Sequence, residues 1–308
     1  MIAAFPRPAV RLILPLKQRF SSDPQVERSL RHSLRDGVAY SVMSGGAETY
    51  FSAFAVFLRA NAAQIGLLAS LPPLLGSFAQ VLSSWLGRRT GDRRGVILGG
   101  ALLQALALIP LAALPLIFRG QAAALLIGLV VVYQIGANLA APQWSSLMGD
   151  LVPERRRGRF FALRTRLSSL TAFVSLIGAG LLLHISTLSG WTAAGYVALF
   201  VVAAAARFVS VHHLRRMHNP PGHVATLQVE AARRLWERLR HSPFARFSIY
   251  FAAMQGAVAI ASPFFTVYML RDLHYSYLQF TINSAASVLA QILMLNTWGR
   301  LGDVFGNR

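Results

Sequence analysis

Eight predominantly apolar stretches decide what this chain can become, because each is about as long as the roughly 20 residues that carry a helix across the hydrocarbon core of a bilayer. They run over Val38–Leu58, Ile65–Leu86, Val96–Ile117, Gln121–Trp144, Leu167–Leu188, Trp191–His212, Ser248–Leu270 and Leu278–Leu295. Unpaired backbone amides are costly in lipid, so stretches of this length must close their hydrogen bonds within themselves, as helices. Composition agrees: 55% of the residues are hydrophobic and 13% charged, where soluble domains carry roughly 25% charge. The expected class is an all-α, polytopic membrane protein.

A net charge of +19 would suit a nucleic-acid partner if the charge formed one face, but it does not. Arg59, Arg119 and Arg271 are the only basic residues in the first, third and seventh connections, and the fifth has none. The remaining lysines and arginines precede the first stretch, follow the last, or occupy even-numbered connections and neighbouring helix ends. That alternation is the positive-inside pattern and predicts a cytoplasmic N-terminus. The expected partners of the charge are anionic lipid headgroups, not nucleic acid. Cysteine is absent, which removes disulfides and thiolate metal sites. No secretory signal is evident, since Ala9–Leu16 is short and holds Arg11.

Three polar connections carry motifs. After the eighth stretch, Trp298–Arg308 reads G-x-L-G-D-x-x-G-x-R through Gly299, Asp303, Gly306 and Arg308. The glycines allow tight helix ends, and an aspartate can cap a helix or pair with an arginine. The second connection holds a degenerate counterpart, Gly87 to Arg94, with Gly91, Asp92 and Arg93 at its centre and Arg88 where the aspartate would stand. Asp92 is the expected substitute counter-charge. Between the fourth and fifth stretches lies Asp150-Leu151-Val152-Pro153-Glu154-Arg155-Arg156-Arg157-Gly158-Arg159. There Pro153 ends a helix, Gly158 allows a bend, and Asp150 and Glu154 can pair with arginines of the neighbouring loop.

The chain resembles the major facilitator superfamily of secondary transporters in these motifs, from Val38 onward. The resemblance implies an MFS-type fold with a six-helix N-terminal bundle and two helices of a C-terminal one. The corresponding divisions are a cytoplasmic tail at 1–36, the bundle at 37–212, a linker at 213–243 and the start of the second bundle at 244–308. The linker contains Asn219-Pro220-Pro221-Gly222 and then Leu227–Arg240, where Leu235, Trp236 and Leu239 share one face, an amphipathic helix for the membrane surface. Gly91 and Gly306 occupy matching places in the two halves, and the same offset carries Gln64 onto Gln279. The family's loop motif is associated with locking helices on the cytoplasmic side. That role is carried here to Gly299, Asp303, Gly306 and Arg308.

Among the 11 acidic residues, Glu48 alone stands well inside an apolar stretch, following Gly45-Gly46. An intramembrane carboxylate marks a functional site by default, and it can carry a proton or face a cationic group. A structural hydrogen bond to a neighbouring helix is the competing role. Gln134 and Asn138, four apart on the fourth stretch, share a face, and the resemblance sets spans one and four around a central cavity. Gln255 on the seventh stretch and Asn283, Ser287 and Gln291 on the eighth are further contact candidates, against the alternative of helix packing. No enzyme constellation, Walker loop, metal-site motif or cofactor signature is evident.

The function expected from the resemblance is transport of a small solute by alternating access, coupled to a proton or another ion, in the bacterial cytoplasmic membrane. A further expectation is that the chain stops after eight of twelve spans and is inactive as it stands. The alternative is a non-transporting membrane sensor or assembly factor on the same scaffold.

Overall fold

The computed structural model describes residues 19–117, 121–220 and 243–305. Nine α-helices account for most of them: α1 (Pro24–Ala47), α2 (Phe51–Phe57), α3 (Ala62–Thr90), α4 (Arg93–Ile117), α5 (Ala122–Leu151), α6 (Arg157–Leu188), α7 (Thr192–Arg215), α8 (Pro243–Val267) and α9 (Tyr277–Phe305). No strand occurs among the described residues. Six helices are long and apolar enough to cross a membrane, beginning with α3 and ending with α8. Two expected spans fall outside those six: the eighth, within α9, and the first, which a 3-10 turn at Glu48–Tyr50 divides into α1 and α2. The expected surface helix at Leu227–Arg240, and Gly306 and Arg308, lie outside the described residues.

Helix ends follow local chemistry. Asp23 caps α1 by accepting from the Gln25 amide, and Pro24 stands at the first helical position, where its missing N–H costs nothing. The helix therefore begins well before residue 37, the expected start of the bundle. Asn61 and Gln64 close a reciprocal capping box on α3, with the Gln64 amide donating to Asn61 at 2.8 Å and the Asn61 amide to Gln64 at 2.9 Å. Ser276 and Gln279 make the same reciprocal pair at the start of α9. Two residues before each box the backbone turns left-handed, at Arg59 (φ 59°) and His274 (φ 52°). The likeness between Gln64 and Gln279 is thus one of backbone geometry as well as of sequence.

α1 packs against α6 and α7, α4 against α5 and α7, and α3 against α5. Lipid tails are as apolar as leucine, so close packing and hydrogen bonds must hold such helices together. At Gly45 a Cβ would collide with the backbone of Ala172; glycine is what lets α1 and α6 touch there. Two apolar cores result. One holds Tyr50, Phe54, Tyr196 and Phe200, the other Leu30, Ile97, Leu147 and Phe160. The second lies at the face bearing Gly91, Asp150 and Arg215, here called proximal; Arg59, Gly190 and His274 mark the distal face. At the proximal face Glu27 accepts from the Phe20 and Ser21 amides at 2.8 and 3.0 Å. Burial opposes its charge, yet these amides and Arg31 hold its carboxyl below the ordinary carboxylate value.

α8 and α9 differ from the rest. α8 leans on α2 and α3, and α9 on α6. Along α8 nearly every described side chain between Arg246 and Ser262 is exposed.

Candidate functional site

Glu48 sits where the first span leaves α-helical geometry. Its Oε1 accepts the Tyr133 hydroxyl at 2.5 Å, and the Tyr133 hydroxyl lies 3.5 Å from the Met43 sulfur. Tyr133 is fully buried and stacks edge-on against Phe51, with centroids 5.4 Å apart. Glu48 is densely surrounded by protein, and part of its side chain remains exposed.

Gln134 and Asn138 do not join Glu48; the neighbouring Tyr133 takes that place. Asn138 accepts from Gln80 of α3 at 2.7 Å and donates to the Gln134 carbonyl at 2.9 Å. A Cβ on Gly76 of α3 would meet both side chains. The pair faces α3 rather than the carboxylate. Gln255 is exposed on α8. Asn283 is exposed on α9, where its amide donates to the Met269 sulfur at 3.3 Å, and Ser287 donates back to the Asn283 carbonyl.

At the proximal face Gly91 ends α3 in the left-handed conformation, φ 64°, which costs glycine nothing. Among the described residues Asp92 makes no ion pair. It caps α4, accepting from the Gly95 amide at 3.0 Å, because an aspartate just before a helix meets free amides there. Arg93 is the residue that reaches out. Almost wholly buried, it pairs with Asp150 at 2.5 Å and donates to Asn219 at 2.8 Å and the Pro220 carbonyl at 2.9 Å. One arginine thus ties the α3–α4 turn to the α5–α6 turn and to the segment after α7. Pro153 follows the end of α5, Arg157 donates to the Gly149 carbonyl at 2.9 Å, and Gly158 and Arg159 lie in the first turn of α6. Gly299 and Asp303 fall within the backbone of α9, so the helix runs through a motif expected to form a loop.

One cluster escaped the sequence reading. Asp36, buried on α1, accepts the Ser210 hydroxyl at 2.7 Å and pairs with Arg164 of α6 at 3.5 Å. Arg207 of α7, also buried, donates to Ser210 at 2.7 Å and to Gln104 of α4 at 2.6 Å. Arg207 lies over the Tyr40 ring at 5.0 Å and Arg164 over Trp144 at 4.3 Å. Along α1, α4 and α7 this polar layer falls between residues of the two apolar cores. Arg164 and Arg207 read as topological charge near helix ends; the signal available was an arginine inside the run Ala203–Val211.

Among the described residues, the hydrogen bonds joining α9 and the turn before it to the earlier helices lie distally. Tyr50 and Thr281 share a hydrogen bond at 2.7 Å, Tyr196 donates to Tyr277 at 3.1 Å, and Arg271 donates to the Ala60 carbonyl at 3.0 Å.

A search among curated proteins finds no match for this sequence. Residues 37–308 match the model of the Major Facilitator Superfamily, a family of membrane transporters. The match takes in every helix from the middle of α1 onward, six of them fit to cross a bilayer, and on that evidence the chain belongs to the Major Facilitator Superfamily.

Proposed function

We propose that this transporter works by alternating access, moves a small solute, and couples that movement to a proton carried by Glu48. The observation that carries the reading is the placement of Glu48 at a helix break, against a buried tyrosine and with part of its side chain exposed. A carboxylate in such a place can release and recover a proton, with the Tyr133 hydroxyl as its hydrogen-bond donor. The positive-inside rule sets the proximal face in the cytoplasm. On this reading the distal contacts of α9 among the described residues close the outward end. Rocking the later helices about the first block would break the Tyr50–Thr281 and Tyr196–Tyr277 bonds and open that end.

The test is solute-induced proton movement in pyranine-loaded proteoliposomes, screened over small solutes. Glu48→Gln is expected to abolish proton movement, and Tyr133→Phe to shift its pH dependence. If the Glu48→Gln protein moves solute with the same rate and pH profile as the parent, Glu48 is not the coupling group.

A further inference from the structure

The buried cluster of Asp36, Arg164 and Arg207 lines a cavity of about 210 Å³, together with Tyr40, Gln104 and Trp144. An apolar cavity of roughly 150 Å³ already holds a benzene, so this one admits a small molecule and not merely a single ion. Its walls combine a polar layer with apolar surface from Ile97, Leu214 and the two aromatic rings.

The hydrogen-bond accounts of these walls are one-sided. Four buried donors have no acceptor among the described residues: Arg164 Nε, Arg207 Nε, Gln104 Nε2 and Trp144 Nε1. All four belong to side chains that line this one cavity. Arg207 is 4% exposed and Gln104 is fully buried, so neither donor is satisfied by bulk water. The acceptors present are already engaged: Asp36 by Ser210 and Arg164, and the Gln104 oxygen by Arg207. Buried polar groups normally find partners, and a cluster of orphans of one kind needs an explanation. Two guanidiniums face one carboxylate, and low local polarity strengthens attraction to a second negative group. Guanidinium forks match the geometry of carboxylate and phosphate oxygens.

We propose that this cavity binds the carboxylate or phosphate group of a small organic anion, with Arg164, Arg207, Gln104 and Trp144 as donors and Tyr40 against its apolar part. The site lies within the first six-span block, Glu48 is not among its lining residues, and its test reads binding rather than proton movement, so it can fail without the coupling proposal failing. A soluble metabolite or the headgroup of an anionic lipid can supply the same chemistry.

Benzoate and phenylphosphonate are titrated calorimetrically into the whole chain in nonionic detergent, with neutral benzamide as control. Saturable binding of one or both anions, at least tenfold tighter than benzamide, is the expected result. Arg207→Lys and Gln104→Leu, each shown by thermal unfolding to be folded, are expected to weaken it by about 10- to 100-fold. Asp36→Asn removes the competing carboxylate and is expected to tighten it. Repeating the titration in nanodiscs of phosphatidylcholine alone, or with phosphatidylglycerol added, separates the sources. Competition by phosphatidylglycerol assigns the site to a headgroup, and unchanged affinity assigns it to a soluble anion. Absence of saturable anion binding to the folded parent, or equal affinity in the parent and all three variants, overturns the proposal.

Discussion

The first seven helices and the last two are built on different principles. α1 to α7 enclose two apolar cores with a polar layer between them, and at Gly45 α1 meets the backbone of α6 directly. Among the described residues α8 and α9 form no core of their own, and Phe280 of α9 joins the first core instead. α8 is exposed along most of its length, and α9 is anchored through Thr281, Tyr277 and the Arg271 turn at the distal end. A region with its own core resists deformation because its packing has few alternatives. A region held by a small apolar contact around Phe280 and a few hydrogen bonds can change its tilt when those contacts exchange. The contrast locates rigidity in the first block and freedom of movement in the later helices.

Substitutions inside the first block should act globally, and those at the distal contacts should change only the relation between the regions. The largest effect is expected from Gly45→Leu, which drives a side chain into the Ala172 backbone. A cost of about 3 kcal/mol should appear as a marked fall in thermal stability in detergent, with α8 and α9 lost along with the block. If α1 still packs on α6 in that variant, the block is less rigid than described.

Arg93→Ala comes next. It leaves Asp150 and Asn219 without their guanidinium. Asp150 remains a third exposed, so the loss is held to about 2 kcal/mol. Proteolysis should become faster at the proximal turns while the distal core melts unchanged.

Tyr50→Phe removes the bonds to Thr281 and to the Leu176 carbonyl at about 1 kcal/mol. The chain has no cysteine, so a single cysteine placed at Ile282 reports directly. Its labelling by a membrane-impermeant maleimide should accelerate. Unchanged labelling would mean that these bonds do not hold the distal end closed.

The smallest effect concerns pH. Glu27 has a lowered folded-state pKa, so its contribution is complete above the ordinary value of 4.5 and is lost as pH falls through the folded value. Amide exchange at Phe20 and Ser21, corrected for intrinsic rates, should therefore lose protection below that value. Glu27→Gln should lose most of it at neutral pH.

Which of these features a reader of the sequence can reach depends on how local their causes are. The long helices follow from apolar runs, and the capping boxes at Asn61–Gln64 and Ser276–Gln279 need only four residues each. The match of Gln64 with Gln279 pointed there before the geometry was known. The break at Glu48 is harder. Gly45-Gly46 and the acid mark the place, but the 3-10 turn depends on how Tyr133 and Phe51 pack around it. Asp92 was misread because capping and charge pairing suit the same residue, and the free amides of α4 won. The Asp36–Arg164–Arg207 cluster joins helices far apart in sequence. Its arginines stand near helix ends, where topology alone is a sufficient reason for positive charge.

The two capping boxes also have a mechanical consequence. A hairpin whose turn is fixed by a left-handed residue and a reciprocal pair of hydrogen bonds is stiff at its elbow. The π-helical turn Tyr268–Asp272 is tied by the Arg271–Ala60 bond directly to the elbow between α2 and α3, so the two stiff turns are joined to each other. The first span ends at that elbow, and Glu48 stands about three helical turns from it.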